Sequence, residues 1–87
     1  MVTKFQCPVC GYPGLEERPR SAGGDPSYEI CPSCGFEFGV SDDSDGLSYQ
    51  DWRIQWIAHG MIWSGSAPAP TFWDPKTQVE TLTPKPN

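Results

Sequence analysis

Several things are scarce in this 87-residue chain, and each scarcity removes a class of function. There is one histidine, His59, so no histidine-rich catalytic metal site and no paired-histidine acid–base system can be assembled. No carboxylate pair of a recognisable catalytic kind and no evident nucleophile stands beside it. Basic residues number six, namely Lys4, Arg18, Arg20, Arg53, Lys76 and Lys85, and they are scattered through a chain of net charge −5. Engaging a phosphate backbone requires a basic stripe, so nucleic acid is not expected as a partner, nor is an anionic membrane surface. No run of apolar residues approaches the roughly 20 needed to span a bilayer. The stretch Met1 to Cys7 has neither an apolar core nor a small-residue cleavage site, so no secretory signal is read there and a cytoplasmic location is expected. No small-molecule substrate site is evident either. Finally, cysteine is absent everywhere except in two short motifs.

Those motifs are Cys7-Pro8-Val9-Cys10-Gly11-Tyr12 and Cys31-Pro32-Ser33-Cys34-Gly35-Phe36. In each, Cys-x-x-Cys allows two sulfurs to point at one site from a single tight turn. Proline presets φ near −65° at the first turn position, and glycine accepts the positive φ needed after the second cysteine. Two such knuckles supply four thiolates, the complement of a closed structural zinc site, with Cys7, Cys10, Cys31 and Cys34 as ligands. The twenty residues from Gly11 to Ile30 that separate the pairs suit a zinc ribbon. Without a secretory signal, metal ligation is favoured over disulfides. One Zn²⁺ is the expected cofactor; iron accepts the same tetrahedral thiolates and stands as the alternative. A catalytic zinc would need an open position, which four cysteines close. A thioredoxin-like redox motif would need one activated thiol at a helix N-terminus in a βαβ setting, and neither knuckle precedes such a pattern.

The rest of the chain reads as one small domain. Thr3 to Gln6 and Ser27 to Ile30 are short candidate strands leading into the knuckles, and Phe36, Phe38 and Val40 alternate with Glu37 and Gly39 as a half-buried strand would. Glu16 to Pro26 is polar and rich in Gly and Pro, hence a loop. Ser41 to Asp45 is an acidic turn; placed on a calcium loop, it would put Trp52 where the bidentate glutamate belongs. Ser48 with Asp51 forms a capping-box pattern, Gly60 supplies a left-handed stop, and a helix is predicted over 49–59. Asp74-Pro75 opens a second short helix over 76–82, with Val79 and Leu82 inward. The expected organisation is a ribbon over 1–40, a capped helix over 47–63 packed on it, a tail over 64–82 that wraps back, and frayed residues 83–87.

His59, at the helix C-terminus, suits the dipole and the free carbonyls there rather than catalysis. Four tryptophans, Trp52, Trp56, Trp63 and Trp73, are many for this length. Most of that aromatic surface is expected in a second core, because aromatics carry much of the buried area of small domains. Trp63 and Trp73 flank the linker Ser64 to Pro70 and are the candidate partner-binding residues, since aromatics also dominate interface hot spots.

The two knuckles resemble those that hold iron in rubredoxins, over about the first 40 residues. A resemblance over most of the chain is to small bacterial proteins related to the cysteine-rich CPCC family. It rests on the Gly-Tyr knuckle, on Tyr28-Glu29-Ile30-Cys31-Pro32-Ser33-Cys34, on the helix ending Gly60 to Trp63, and on Trp73-Asp74-Pro75. Val9 stands where that family carries a third cysteine. Some members lie beside toxin genes, so the resemblance implies a binding or neutralising role, and it carries over no established activity. The fold expected is therefore a metal-stabilised α+β module. It comprises a zinc-ribbon, rubredoxin-like unit with short antiparallel strands, one aromatic-rich helix and a short C-terminal helix. The function expected is contact with a protein partner.

Overall fold

The computed structural model describes residues 4–82. Its core is assembled around the cysteines. Cys7, Cys10, Cys31 and Cys34 are buried together with Val9, Leu15, Phe36, Phe38 and Trp56. The two knuckles share one hydrogen-bond pattern. Cys7 N–H donates to the Tyr12 carbonyl (2.7 Å) and Gly11 N–H to the Cys7 carbonyl (2.9 Å). In the second knuckle Cys31 N–H donates to Phe36 (2.9 Å) and Gly35 N–H to Cys31 (2.8 Å). Gly11 and Gly35 both take positive φ, 87° and 83°, the backbone state that the Cys-Gly step was expected to need.

The expected antiparallel strands do not form. Among the described residues the chain makes only isolated antiparallel bridges, Phe5 with Leu15, Arg20 with Pro26, and Ile30 with Glu37. Each arm is too short to propagate a ladder. Phe5 and Leu15 exchange both backbone hydrogen bonds at 2.9 Å, but the chain turns into the knuckle immediately afterwards. On the second arm Tyr28 sits at φ 62°, which breaks the extended run just before Glu29. Of the first candidate strand, Thr3 lies outside the described residues. The alternation at Phe36 and Phe38 is real in burial, since both are fully buried. It spans only the Ile30–Glu37 bridge, where Cys31 N–H donates to Phe36 (2.9 Å) and Phe38 N–H to Glu29 (3.2 Å); beyond it the chain winds through successive turns, with Ser41 N–H donating to Glu37 (2.9 Å) and Asp45 N–H to Val40 (2.8 Å). Arg20 holds this acidic turn from across the loop, its Nη2 lying 2.8 Å from Asp42 and 2.7 Å from Asp43. Burial disfavours the charged form of Asp42, but Arg20 and the Gly39 and Asp43 N–H groups outweigh it and hold the carboxyl below its ordinary range.

The first helix, α1, covers Tyr49–Ala58. Ser48 caps it, accepting from the Asp51 N–H at 3.0 Å, while the Asp51 carboxylate accepts from the Ser48 N–H at 3.5 Å. At the other end His59 is the cap residue, Gly60 takes φ 98°, and Met61 N–H reaches back to the Trp56 carbonyl at 2.9 Å. That last bond together with Gly60 N–H to Ile57 (3.0 Å) is the paired closure of a Schellman ending. The helix buries an aromatic seam: Phe36 meets Tyr49 and Trp52 edge-on, with ring centroids 5.3 and 5.4 Å apart. Offset and edge-to-face pairs of this kind contribute about 0.5–1.5 kcal/mol beyond the area they bury.

The second helix, α2, covers Pro75–Glu80, so it starts one residue earlier and ends two residues sooner than predicted. Asp74 caps it through the N–H groups of Lys76 (3.1 Å) and Thr77 (3.3 Å). Between the helices, Ser64 and Gly65 N–H groups donate to the Pro32 carbonyl at 3.0 and 2.8 Å. These bonds pin the linker against the second knuckle.

Candidate metal centre

The four sulfurs meet at the middle of the core. Cys7 Sγ lies 4.0 Å from Cys34 Sγ, Cys10 Sγ lies 3.7 Å from Cys31 Sγ, and all four fall within 4.8 Å of one another. A tetrahedral ion bound at about 2.3 Å holds its sulfurs about 3.8 Å apart, so this spacing fits one metal ion with four thiolate ligands. Both of these pairs cross between knuckles, and no disulfide joins any of the four.

The ionisation of the cage points the same way. Hydrogen bonding from Cys31 first, then from Cys34 and Cys7, draws the Cys10 thiol well below its ordinary range despite burial. Cys31 and Cys34 are pushed up, foremost by their hydrogen bonds with Cys10. Four like charges at such separations repel. A divalent or trivalent cation reverses that interaction and lets all four ionise. A donor set of four cysteine sulfurs within 4.8 Å of one another could hold either zinc or iron.

Around this cage lies a shell of polar side chains delivered by the two helices. From α1, the Trp52 indole N–H donates to the Cys34 carbonyl at 2.9 Å. Arg53 clamps the first knuckle, with Nε 2.6 Å from the Val9 carbonyl and Nη2 2.8 Å from the Pro8 carbonyl. From α2, Gln78 Nε2 donates to the Cys10 carbonyl at 3.2 Å and to the Ser33 hydroxyl at 2.9 Å, so one side chain bridges both knuckles. Its Oε1 accepts from the Trp73 indole at 2.9 Å. Ser33 is fully buried, yet among the described residues no buried side-chain polar atom lacks a partner. The Val9 N–H points at Cys7 Sγ (3.4 Å), adding a backbone donor to that sulfur. Such outer contacts fix the ligands' orientation and tune the metal.

The predicted site residues divide into two places. Cys7, Cys10, Cys31 and Cys34 come together as one centre. Trp63 and Trp73 come together on a flank, edge-to-face with centroids 5.1 Å apart, and Tyr12 meets Trp63 at 5.6 Å. Both indoles are half-buried and both N–H groups are occupied, that of Trp63 by the Ala67 carbonyl at 2.8 Å. Beside them Phe72 stands 99% exposed at φ 61°. Its exposure was not readable from the sequence. A cleft of about 400 Å³ runs along this flank between Tyr12, Pro13, Phe72, Trp73, Asp74 and Thr81. Arg53 and Gln78 were also missed as supports of the centre, since nothing local marks them. His59 Nδ1 lies 2.7 Å from the Gln55 carbonyl, the C-terminal bond expected of it.

Among curated proteins, two relatives from Bacillus subtilis (strain 168) are similar to this chain. One is the uncharacterized protein YoaQ, 38% identical over 77 residues, an alignment that takes in 71% of this chain and 65% of the relative. The other is the uncharacterized protein YozI, 35% identical over 72 residues, with 66% of this chain and 60% of the relative. The chain thus spans slightly less than two thirds of the length of each. No family model matches it, and no solved structure matches it. Neither relative's name states an activity. Among the described residues no helix is long and apolar enough to cross a membrane.

Proposed function

We propose that the protein is a cytoplasmic, non-catalytic interaction module in which Cys7, Cys10, Cys31 and Cys34 hold one structural Zn²⁺. The observation that carries this reading is the closed and buried sulfur quartet braced by both helices. Four protein ligands leave no position for water or substrate, so the ion's contribution is folding free energy rather than chemistry. The metal fixes the two knuckles, Gln78 ties them to α2, and the flank bearing Trp63, Trp73 and the exposed Phe72 receives a protein partner. Aromatic residues supply the buried anchors of interfaces, which supports that assignment. The resemblance to CPCC-related proteins supports a regulatory or toxin-neutralising role within the same reading. The net charge of −5 argues against nucleic acid.

The experiment has two parts. Metal analysis of protein purified without added metal is expected to give one zinc per chain and a colourless solution. A red protein with one iron per chain would replace this reading with a rubredoxin-like electron carrier using the same four cysteines. Partner capture with the intact protein, and again with Trp63→Ala and Trp73→Ala, is expected to lose specific partners in both variants. Partners retained by both would remove the tryptophans from the proposal.

A further inference from the structure

The four cysteines are not equally buried. Cys7, Cys10 and Cys31 are 0% exposed, whereas Cys34 retains 5%. Cys34 also lines a cleft of about 190 Å³ whose other walls are Trp52, Gln55, Trp56 and His59, all from α1 and its cap. A second recess touches Cys31 among Ile30, Pro32 and Trp63, but no surface of Cys31 is exposed there. Cys7 has the further protection of the Val9 N–H, 3.4 Å from its sulfur, which withdraws electron density from a thiolate. Thiolate reactivity is set by charge and by access, and four thiolates on one ion differ chiefly in access.

From the cleft and this difference in exposure we infer that Cys34 is the modification site of the centre, the sulfur at which a soft electrophile attacks and the cage opens. The inference rests on the metal centre proposed above. In the step, the Cys34 thiolate adds to the electrophilic carbon of an activated alkene. The new S–C bond forms from a sulfur lone pair, the alkene π pair becomes a carbanion, and that carbanion takes a proton from water, leaving hydroxide. The resulting thioether would be a poor ligand, so Cys7, Cys10 and Cys31 alone would remain to hold an ion. Because Trp52 also donates to the Cys34 carbonyl at 2.9 Å, the second knuckle is held by α1 beside the point of attack.

The test uses the full-length metal-loaded protein and N-ethylmaleimide below one equivalent. Singly labelled protein is digested with trypsin, and fragmentation of the peptides spanning residues 5–20 and 21–53 locates the first adduct. Cys34 is expected to carry at least about fivefold more adduct than any other cysteine, with metal release following labelling. His59 is exposed and outside the metal ligands, so His59→Ala widens the cleft without touching the cage. It is expected to accelerate labelling at Cys34 several-fold and to leave the other three sulfurs unchanged. First labelling at Cys7, Cys10 or Cys31, an even distribution, or a Cys34 rate unaffected by His59→Ala would overturn the inference. Native mass measurement of the same sample reports metal stoichiometry independently. Metal bound without preference for Cys34 therefore refutes this inference while leaving the metal centre standing.

Discussion

Replacing Gln78 by alanine removes the one side chain that joins α2 to both knuckles. The deletion breaks three hydrogen bonds, to the Cys10 carbonyl at 3.2 Å, to the Ser33 hydroxyl at 2.9 Å and from the Trp73 indole at 2.9 Å. Each bond in a folded protein contributes about 1 kcal/mol net, and a buried group left unpaired forfeits about 1–3 kcal/mol. Ser33 is fully buried, so its hydroxyl falls in the second category; the Cys10 carbonyl and the half-buried Trp73 indole can recover part of their loss from water. The expected destabilisation is about 3 kcal/mol. In urea, with a slope of about 1 kcal/mol/M for a domain this small, the midpoint should fall by about 2–3 M. Free metal must be buffered at one value for both proteins, because binding to the folded state adds to apparent stability. Competition with a chelator should show metal affinity lowered about 10- to 100-fold, the usual effect of losing an outer-shell partner. Gln78→Glu sharpens the experiment. It keeps an acceptor for Trp73, removes both donors, and brings a negative charge toward an anionic thiolate cage, so it should weaken metal binding further than alanine does. A midpoint shift below about 0.5 M with unchanged metal affinity would refute the claim that α2 braces the centre.

Further outcomes follow from the same geometry. Removing the metal with a strong chelator should abolish cooperative unfolding followed by circular dichroism, because the buried core is built on the four cysteines. Ser48→Ala should lower stability by about 1 kcal/mol in denaturant titration through loss of the cap on α1. Gly60→Ala should lose roughly 1–2 kcal/mol, since φ 98° places the new Cβ in a left-handed backbone state. The Asp42 carboxyl is held below its ordinary value of 3.8 by Arg20 and two N–H groups acting against burial. Its contribution is therefore complete above about pH 4 and disappears as pH falls through the lowered folded value. Arg20→Gln should reduce the stability difference between neutral and acid pH, measured by urea titration at each pH.

What was legible in the sequence, and what was not, follows the range of the interactions involved. The sulfur quartet could be read because both ligand pairs are local, and their Cys-x-x-Cys turns fix two ligands each before any tertiary contact is made. The ends of α1 were legible for the same reason: Ser48 with Asp51 and Gly60 with Met61 settle its boundaries through neighbours. The strands were misread. Burial of Phe36 and Phe38 has the period of a strand, but their pairing with Glu29 to Cys31 stops at the single Ile30–Glu37 bridge, because turns follow from Phe38 onward. Likewise Tyr28 and Ile30, in the candidate strand Ser27 to Ile30, remain 61% and 55% exposed, so that segment buries no face there. Arg53 and Gln78 were invisible as supports because their partners lie far along the chain, in the first knuckle. Arg53 reads as one more scattered cation, and Gln78 as one polar position on a short helix. Only the fold places them.

The isolated bridges also bear on how a partner can be received. A chain that adds a strand to its target needs an open row of backbone donors and acceptors, and single bridges provide no such row. Among the described residues, then, there is no edge for a peptide to extend, and equally none that would template self-association of identical copies. Under the interaction role proposed above, a partner would be recognised through side chains and shape. On a chain with so few positive charges, the aromatic flank is where that recognition has the most to work with.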